Sequence, residues 1–374
     1  MKYLKGLDTL RAFAVLIVII QHWGPHKFKS GILTFIFSRL IPEGTFGVDL
    51  FFVLSGFLIS KILFVASDKA APVERLHVIK NFYFRRVLRI FPVYFLLVLL
   101  VVFVLNDTYA KEHIAYFLTY TSNFLTLKTV AWGSIAHTWS LAVEEQFYIV
   151  WPWIIIYTPK KYLFGVILIS IILGLVSSVI LRNMYGPFFY LLPLPCITAF
   201  AIGALYAYVE NYGHFKRLTT NILLILLPGS LALLFWHNMG KDIVLIRVVN
   251  SIVSINLIIY VCRENYNIVT RFIFNNKVLV NIGKISYGIY LYHYILPKYY
   301  NQFVNYLATK VTLSDKLIKM LTFPPSGYLI DFVLVLLTAV ISYKFIELPF
   351  LRLKKNFAYL SDKPVAVKPN EFSI

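Results

Sequence analysis

Charge is scarce in this chain of 374 residues. Only 14% are Asp, Glu, Lys or Arg, against about 25% in an ordinary soluble domain. Hydrophobic residues make up 59% and the mean hydropathy is +0.74. A soluble globular domain is thereby excluded, and a chain that lives in lipid is indicated. Cysteine is nearly missing too. Cys196 and Cys262 both sit inside apolar runs, which leaves no disulfide framework, no zinc spacing and no expected metal site. Acidic residues are outnumbered, 17 against 36 Lys and Arg, for a net charge of +19. The basic residues are split among many loops and form no long patch, so nucleic acid is not an expected partner. Cytoplasmic loops of a membrane protein collect Lys and Arg in this way. There is no internal repeat, no low-complexity tract, no second soluble domain, and no pair of interrupted helices in matching halves such as transporters carry. Nor does a small-residue cleavage site follow the first apolar run, so Met1–Trp23 reads as a retained first helix and not as a signal peptide.

What is present is a series of apolar runs near the ~20 residues that span a bilayer. They predict an all-α integral membrane protein, a bundle of about ten transmembrane helices. The spans fall at 7–23, 45–66, 89–106, 140–157, 162–181, 191–209, 221–236, 243–262, 285–297 and 326–348. The ninth is short for a full crossing. The segment 113–127 is too short and too polar to span, and reads as interfacial or re-entrant. An even number of spans places both termini on one side. With the N-terminus in the cytosol, Lys and Arg favour the inside by roughly two to one, so the orientation is N-in and C-in. The domain reading is a membrane domain over 1–353 and a basic cytosolic tail over 354–374.

Polar residues inside these runs carry the functional signal. In "RAFAVLIVIIQH", Arg11 and His22 are eleven positions apart. That is about three helical turns, so both project from one face with about 16 Å between them. Ionisable groups at such depth face a bundle interior or a wet cavity. The alternative is packing, with His22 bonded to a neighbouring helix and Arg11 snorkelling to membrane lipid headgroups; spacing alone does not separate the two. Asp8, three residues before Arg11, is placed to orient it. In "FYFRRVLRIFPVY", Arg85, Arg86 and Arg89 stand at i,i+3 and i,i+4 spacings, so all three can converge. Guanidinium forks suit phosphate groups, although arginines here also simply obey the positive-inside rule. In "HTWSLAVEEQFYIVWPW", Ser140, Glu144 and Tyr148 share a stripe, with His137 two turns before Glu144 and Glu145 pointing about 100° away. A membrane carboxylate can orient or activate a base, relay protons or pair with an arginine; an interhelical hydrogen bond is the plainer reading. "GTFGVDLFFVLSGFLIS" is punctuated by glycines that favour close helix packing, with Asp49 as the exception. "GKISYGIYLYHY" sets Ser286 and His293 seven residues apart. A Ser/His nucleophile pair is one reading of that spacing, but the Gly-x-Ser-x-Gly elbow is absent.

Taken together, these blocks resemble the acyltransferase-3 family of membrane acyltransferases. "GLDTLRAFAVLIVIIQH", "FGVDLFFVLSGFLIS", "RRVLRIFPVY", "HTWSLAVEEQFYIVWP", "ISYGIYLYH" and "SYKFIELPFLRL" match family blocks in order, from residue 6 to about residue 353. The resemblance implies a ten-helix bundle in a bacterial inner membrane. It implies a cytosolic acyl-CoA donor, usually acetyl-CoA, and an extracytoplasmic carbohydrate acceptor such as a surface polysaccharide, an O-antigen or its lipid-linked precursor. The family's Arg-x10-His motif falls on Arg11 and His22, its Arg-x-x-Arg on Arg86 and Arg89, and its "SLxxE" glutamate on Glu144. Many relatives carry a C-terminal SGNH-type domain that completes the transfer outside. This sequence ends before one, so a separate periplasmic transfer partner stays open.

The mechanism expected from the resemblance places the CoA phosphates against Arg86 and Arg89, with Arg11 and Arg85 assisting. His22 is then the general base or a transient acyl carrier, and Glu144 orients His22 or stabilises its charged form. Asp8, Asp49, His137, Ser286 and His293 are candidate supports. One rival is a proton-coupled transporter with His22 and Glu144 as relay groups. Another is a non-catalytic assembly subunit.

Overall fold

The computed structural model describes residues 3–24, 41–240, 243–311 and 326–359, together with 318 and 321. The described residues form helices and connecting turns and no strand. Eight helical segments are long and apolar enough to cross a membrane, so the protein is an all-α membrane protein. The long helices are α1 (Lys5–Trp23), α2 (Gly44–Lys69), α3 (Arg75–Leu99), α4 (Trp139–Tyr157), α5 (Lys160–Tyr185), α6 (Pro193–Tyr212), α7 (Lys216–Asn238) and α8 (Ile246–Arg263). Shorter helices α9 (Lys277–Lys284), α10 (Ser286–Tyr292) and α11 (Ile295–Lys310) follow, and then α12 (Ser326–Ser342).

Three expectations change. The ninth span is not one crossing: the chain breaks at His293 and Tyr294, between α10 and α11. The third span begins well before residue 89, because α3 starts at Arg75 and continues through a π-helical turn, Leu100–Val104. Arg85, Arg86 and Arg89 therefore lie within a helix and not at its entrance. The expected fourth span is a single helix, α4, but Ser140, Glu144, Glu145 and Gln146 crowd its first half, and it is not among the eight. The segment 113–127 does stay short, as the helices Ile114–Leu118 and Ser122–Thr129. Of the expected cytosolic tail, 354–359 is folded against α3: Phe357 stacks on Phe84 with ring centroids 4.7 Å apart. Residues 360–374 lie outside the described residues.

Glycines bring α2 and α6 together. A Cβ on Gly56 would lie 2.0 Å from the Phe200 carbonyl oxygen, and one on Gly203 would lie 2.1 Å from that of Val53. The two backbones touch, which is how helices associate where lipid supplies no hydrophobic drive. Phe200 then stacks on Phe147 of α4 and Phe52 of α2, at 4.0 and 4.6 Å between centroids. α6 is the bundle's centre, with 78% of its apolar window buried, while α5 and α7 have 33% and 28%. Their exposed Ile169, Ile172 and Ile225 form the surface that lipid would cover. α1 is gripped from both sides: Gly47 of α2 meets its Ala14 carbonyl, and Gly283 of α9 meets its Asp8 carbonyl. The helix that carries Arg11 and His22 is thus held rigidly inside the bundle.

Candidate functional site

The two ends of α1 lead into different surroundings. Near its start, Arg11 enters a cavity of about 280 Å³ that is also lined by Arg86 and Arg89 of α3. Ser55 of α2, the Ser140–Glu144–Tyr148 stripe of α4, and Ser286, Tyr287 and Tyr290 of α10 complete the polar lining. Asp8 does orient Arg11, through an ion pair of 2.6 Å. Neither Arg86 nor Arg89 has a carboxylate in an ion pair among the described residues. The Arg86 guanidinium lies instead over the rings of Tyr148 and Phe82, 5.0 and 5.4 Å from their centroids. Glu144 is the one carboxylate in this lining, so the guanidiniums outnumber it; excess cationic charge held out of bulk water is costly, and an anionic ligand entering the cavity would relieve that cost. Arg85 does not join them. It faces the other way, donating to the Lys354 and Phe357 carbonyls at 2.8 and 3.2 Å.

Glu144 is fixed by two hydroxyls, those of Ser55 and Tyr148. This corrects the expected pairing, since no contact joins Glu144 to His22. The Ser140–Glu144–Tyr148 stripe is real, but it faces the arginines. Asp49 lies away from the cavity, in an ion pair of 3.1 Å with Arg247 and bonded by Asn250 at 2.9 Å. Ser286 and His293 do not pair either; they stand at opposite ends of α10, about 10 Å apart along its axis.

At the far end of α1, His22 meets a different partner. Its Nδ1 lies 2.9 Å from Nε2 of His293. The break after α10 makes this possible: Trp23 Nε1 donates to the His293 carbonyl at 2.9 Å, which pins the broken strand of chain to the end of α1. His137 packs edge-on against His293, with centroids 5.2 Å apart, and its Nε2 donates to the Leu291 carbonyl at 3.2 Å. Among the described residues, no group of three or more His, Cys, Asp or Glu is arranged to hold a metal ion.

The proton positions follow from one carbonyl. His293 Nδ1 is 2.6 Å from the carbonyl oxygen of Tyr290, which can only accept, so that nitrogen carries the hydrogen. In a neutral ring Nε2 is then an acceptor, and His22 Nδ1 must donate to it. The Nε2 lone pair of His22 is left for chemistry. His22 is also the exposed member of the cluster, while His137 and His293 are buried.

His22 is not among the residues lining the arginine cavity. Tyr290 stands between the two. Its ring lines the cavity, its hydroxyl donates to the His137 carbonyl at 2.8 Å and bonds Ser140 at 2.5 Å, and its carbonyl orients His293. Tyr290 is not singled out by the sequence, and Ser55 stands out there only as a polar residue embedded with Asp49 in the glycine-punctuated run. A tyrosine in "ISYGIYLYH" is one of three and carries no spacing signal of its own.

Comparison with known proteins follows the same line. The family described as an acyltransferase domain matches residues 4–344. The O-acetyltransferase OatA of Staphylococcus aureus strain NCTC 8325 / PS 47 is 30% identical over 395 residues, covering 97% of this chain and 60% of the relative. OatA of strain COL gives the same values. The chain spans about 60% of the length of these curated relatives. No solved structure matches it.

Proposed function

The chain belongs to the acyltransferase domain family that matches residues 4–344, and from that premise we propose that it is a membrane O-acyltransferase drawing on cytosolic acyl-CoA. The acyl group, most simply acetyl, passes to a hydroxyl of an extracytoplasmic carbohydrate. The relatives' name, O-acetyltransferase, supports the reaction class. The observation that carries the donor assignment is the convergence of Arg86 and Arg89, neither in an ion pair among the described residues, on one cavity whose single lining carboxylate is Glu144.

The anionic part of CoA binds at Arg86 and Arg89, with Arg11 held ready by Asp8. At about 280 Å³, the cavity sits at the lower edge of the ~300–1,000 Å³ range of small-molecule sites. It therefore takes part of so large a donor and not all of it. The acyl end extends past Tyr290, which must swing aside, and reaches His22. There the Nε2 lone pair takes the proton of the acceptor hydroxyl as its oxygen attacks the thioester carbonyl. The C–S bond breaks, and the thiolate leaves with the proton relayed from His22. The hydrogen bond from His22 Nδ1 to His293 grows stronger as the ring gains charge. Glu144, tied to Ser55 and Tyr148, sets the charge balance of the arginine cavity and is not the partner of His22.

Equilibrium binding of acetyl-CoA to the purified full chain tests the donor site. Arg86→Gln and Arg89→Gln each lose one charge-assisted contact and should weaken binding about ten- to hundredfold. Arg85→Gln should leave it within about twofold, because Arg85 faces the 354–359 segment. Equal affinity in all three would return the arginines to a purely topological role. Proton-coupled solute flux without any dependence on acetyl-CoA would favour the transporter.

A further inference from the structure

A second hollow lies beyond the histidines. It is an open basin of about 530 Å³ whose lining includes Asp107, Tyr109, Trp132, Ser134, Tyr294 and Lys298. We propose that this basin is the saccharide subsite, holding one or two uncharged sugar rings so that a hydroxyl is presented to His22. The inference rests on the acyl-transfer reading above and names where the acceptor sits.

Position is the first argument. Asp107 follows α3 and its π-turn, 21 residues beyond Arg86. At 1.5 Å per residue the separation is about 30 Å, the thickness of a hydrocarbon core. The basin and the arginine cavity therefore open towards opposite faces. Tyr294 joins the basin to the chemistry. It lines the basin and also packs edge-on against the His22 ring, with centroids 5.3 Å apart.

The second argument is chemical. The polar groups are already assembled: Asp107 accepts from Lys298 at 3.2 Å, from the Tyr299 hydroxyl at 3.2 Å and from the Ser134 hydroxyl, while its other oxygen caps the Ala110 N–H at 3.0 Å. The carboxylate and the ammonium cancel, in contrast to the arginine cavity, where guanidiniums outnumber the one lining carboxylate, Glu144. A neutral array of donors and acceptors suits hydroxyls better than phosphate. Around it stand aromatic faces. Trp132 is 47% exposed, and Tyr109 is pressed onto the backbone of Gly133, where a Cβ would come within 2.3 Å of the ring. Large flat apolar faces beside a few fixed polar groups are what a sugar ring, apolar on its C–H faces and polar at its rim, can use.

The test is titration of the purified full chain with maltotriose, cellotriose and chitotriose, read by saturation-transfer NMR, beside titration with acetyl-CoA. Binding of at least one trisaccharide is expected, weakened about tenfold in Trp132→Ala, the size of one lost ring contact. Trp132→Tyr, which keeps a ring, should recover most of it. Acetyl-CoA affinity should stay unchanged in both variants. Failure of all three sugars to bind would overturn the proposal, as would Trp132→Ala leaving their affinity untouched. So would inorganic phosphate displacing them, which would mark a lipid-headgroup site. Saccharide binding at the basin in a chain that does not bind acetyl-CoA would sink the acyl-transfer reading and leave the basin standing.

Discussion

His293 decides which nitrogen of His22 is basic. Its own orientation comes from the Tyr290 carbonyl, so a backbone atom ultimately sets the tautomer of the His22 ring. His293→Leu removes the acceptor for His22 Nδ1. Turnover should fall by a large part of the ~10²–10⁴-fold that a positioned base contributes, with KM for acetyl-CoA unchanged. His293→Gln can present its carbonyl oxygen to the same nitrogen, and should retain measurably more activity than the leucine variant. Steady-state kinetics that show equal losses in both, or a rise in KM, would reduce His293 to a packing role. At Asp107, burial opposes charge, but the Ser134 hydroxyl, the Ala110 N–H and Lys298 outweigh it and hold the carboxyl below the ordinary 3.8. A depressed carboxylate stays charged above that value and is neutralised only as pH falls through its lower folded one. Saccharide binding should therefore be flat from neutral pH down through the ordinary carboxylate range and fall only at more acid pH. Asp107→Asn should abolish that acid limb. Arg11, His22 and Glu144 are legible in the sequence as costly groups in lipid. Their pairing is not: a helical period says which residues share a face, and nothing about which other helix supplies the partner.

At the scale of elements, the glycines of α2 are the part the sequence states most clearly. Small residues in an apolar run call for a close neighbour, and Gly56 and Gly203 meet α6 and α2 backbones directly. Gly203→Ala should destabilise the folded protein by about 1–3 kcal/mol, the usual cost of overpacking a tight contact. Thermal unfolding in detergent measures it, and Gly213→Ala is no useful control because its φ is +73°. Gly165→Ala, with open space around it, should change little. The break between α10 and α11 was hidden by contrast. The run 285–297 is apolar apart from Ser286, His293 and its tyrosines, and hydropathy does not record where a helix stops. Yet the break is what turns His293 and Tyr294 towards His22. Arg85 went astray for a related reason: residues at i,i+3 and i,i+4 are neighbours on a surface, but Arg85 found the carbonyls of the 354–359 segment nearer than the cavity.

Across the whole molecule, the arginine cavity, Tyr290, the histidines and the basin form a column. The charge balance of the chain proposes its direction. The arginine end belongs to the side that carries Lys5, Lys80, Lys354 and Lys355, which the positive-inside rule assigns to the cytosol. Acetyl-CoA, a polyanion that does not cross lipid, should then support transfer when added outside inverted vesicles. It should fail with right-side-out vesicles until these are permeabilised. Equal rates from both sides would remove the proposed orientation.

The central claim is that the exposed lone pair of His22 performs the transfer. Acetyl transfer from labelled acetyl-CoA to carbohydrate, in membranes holding equal amounts of the wild-type chain and of His22→Ala, tests it most directly. Loss of transfer by at least about 10²-fold, with acetyl-CoA binding at Arg86 and Arg89 intact, is the predicted result. Transfer at the wild-type rate would contradict it.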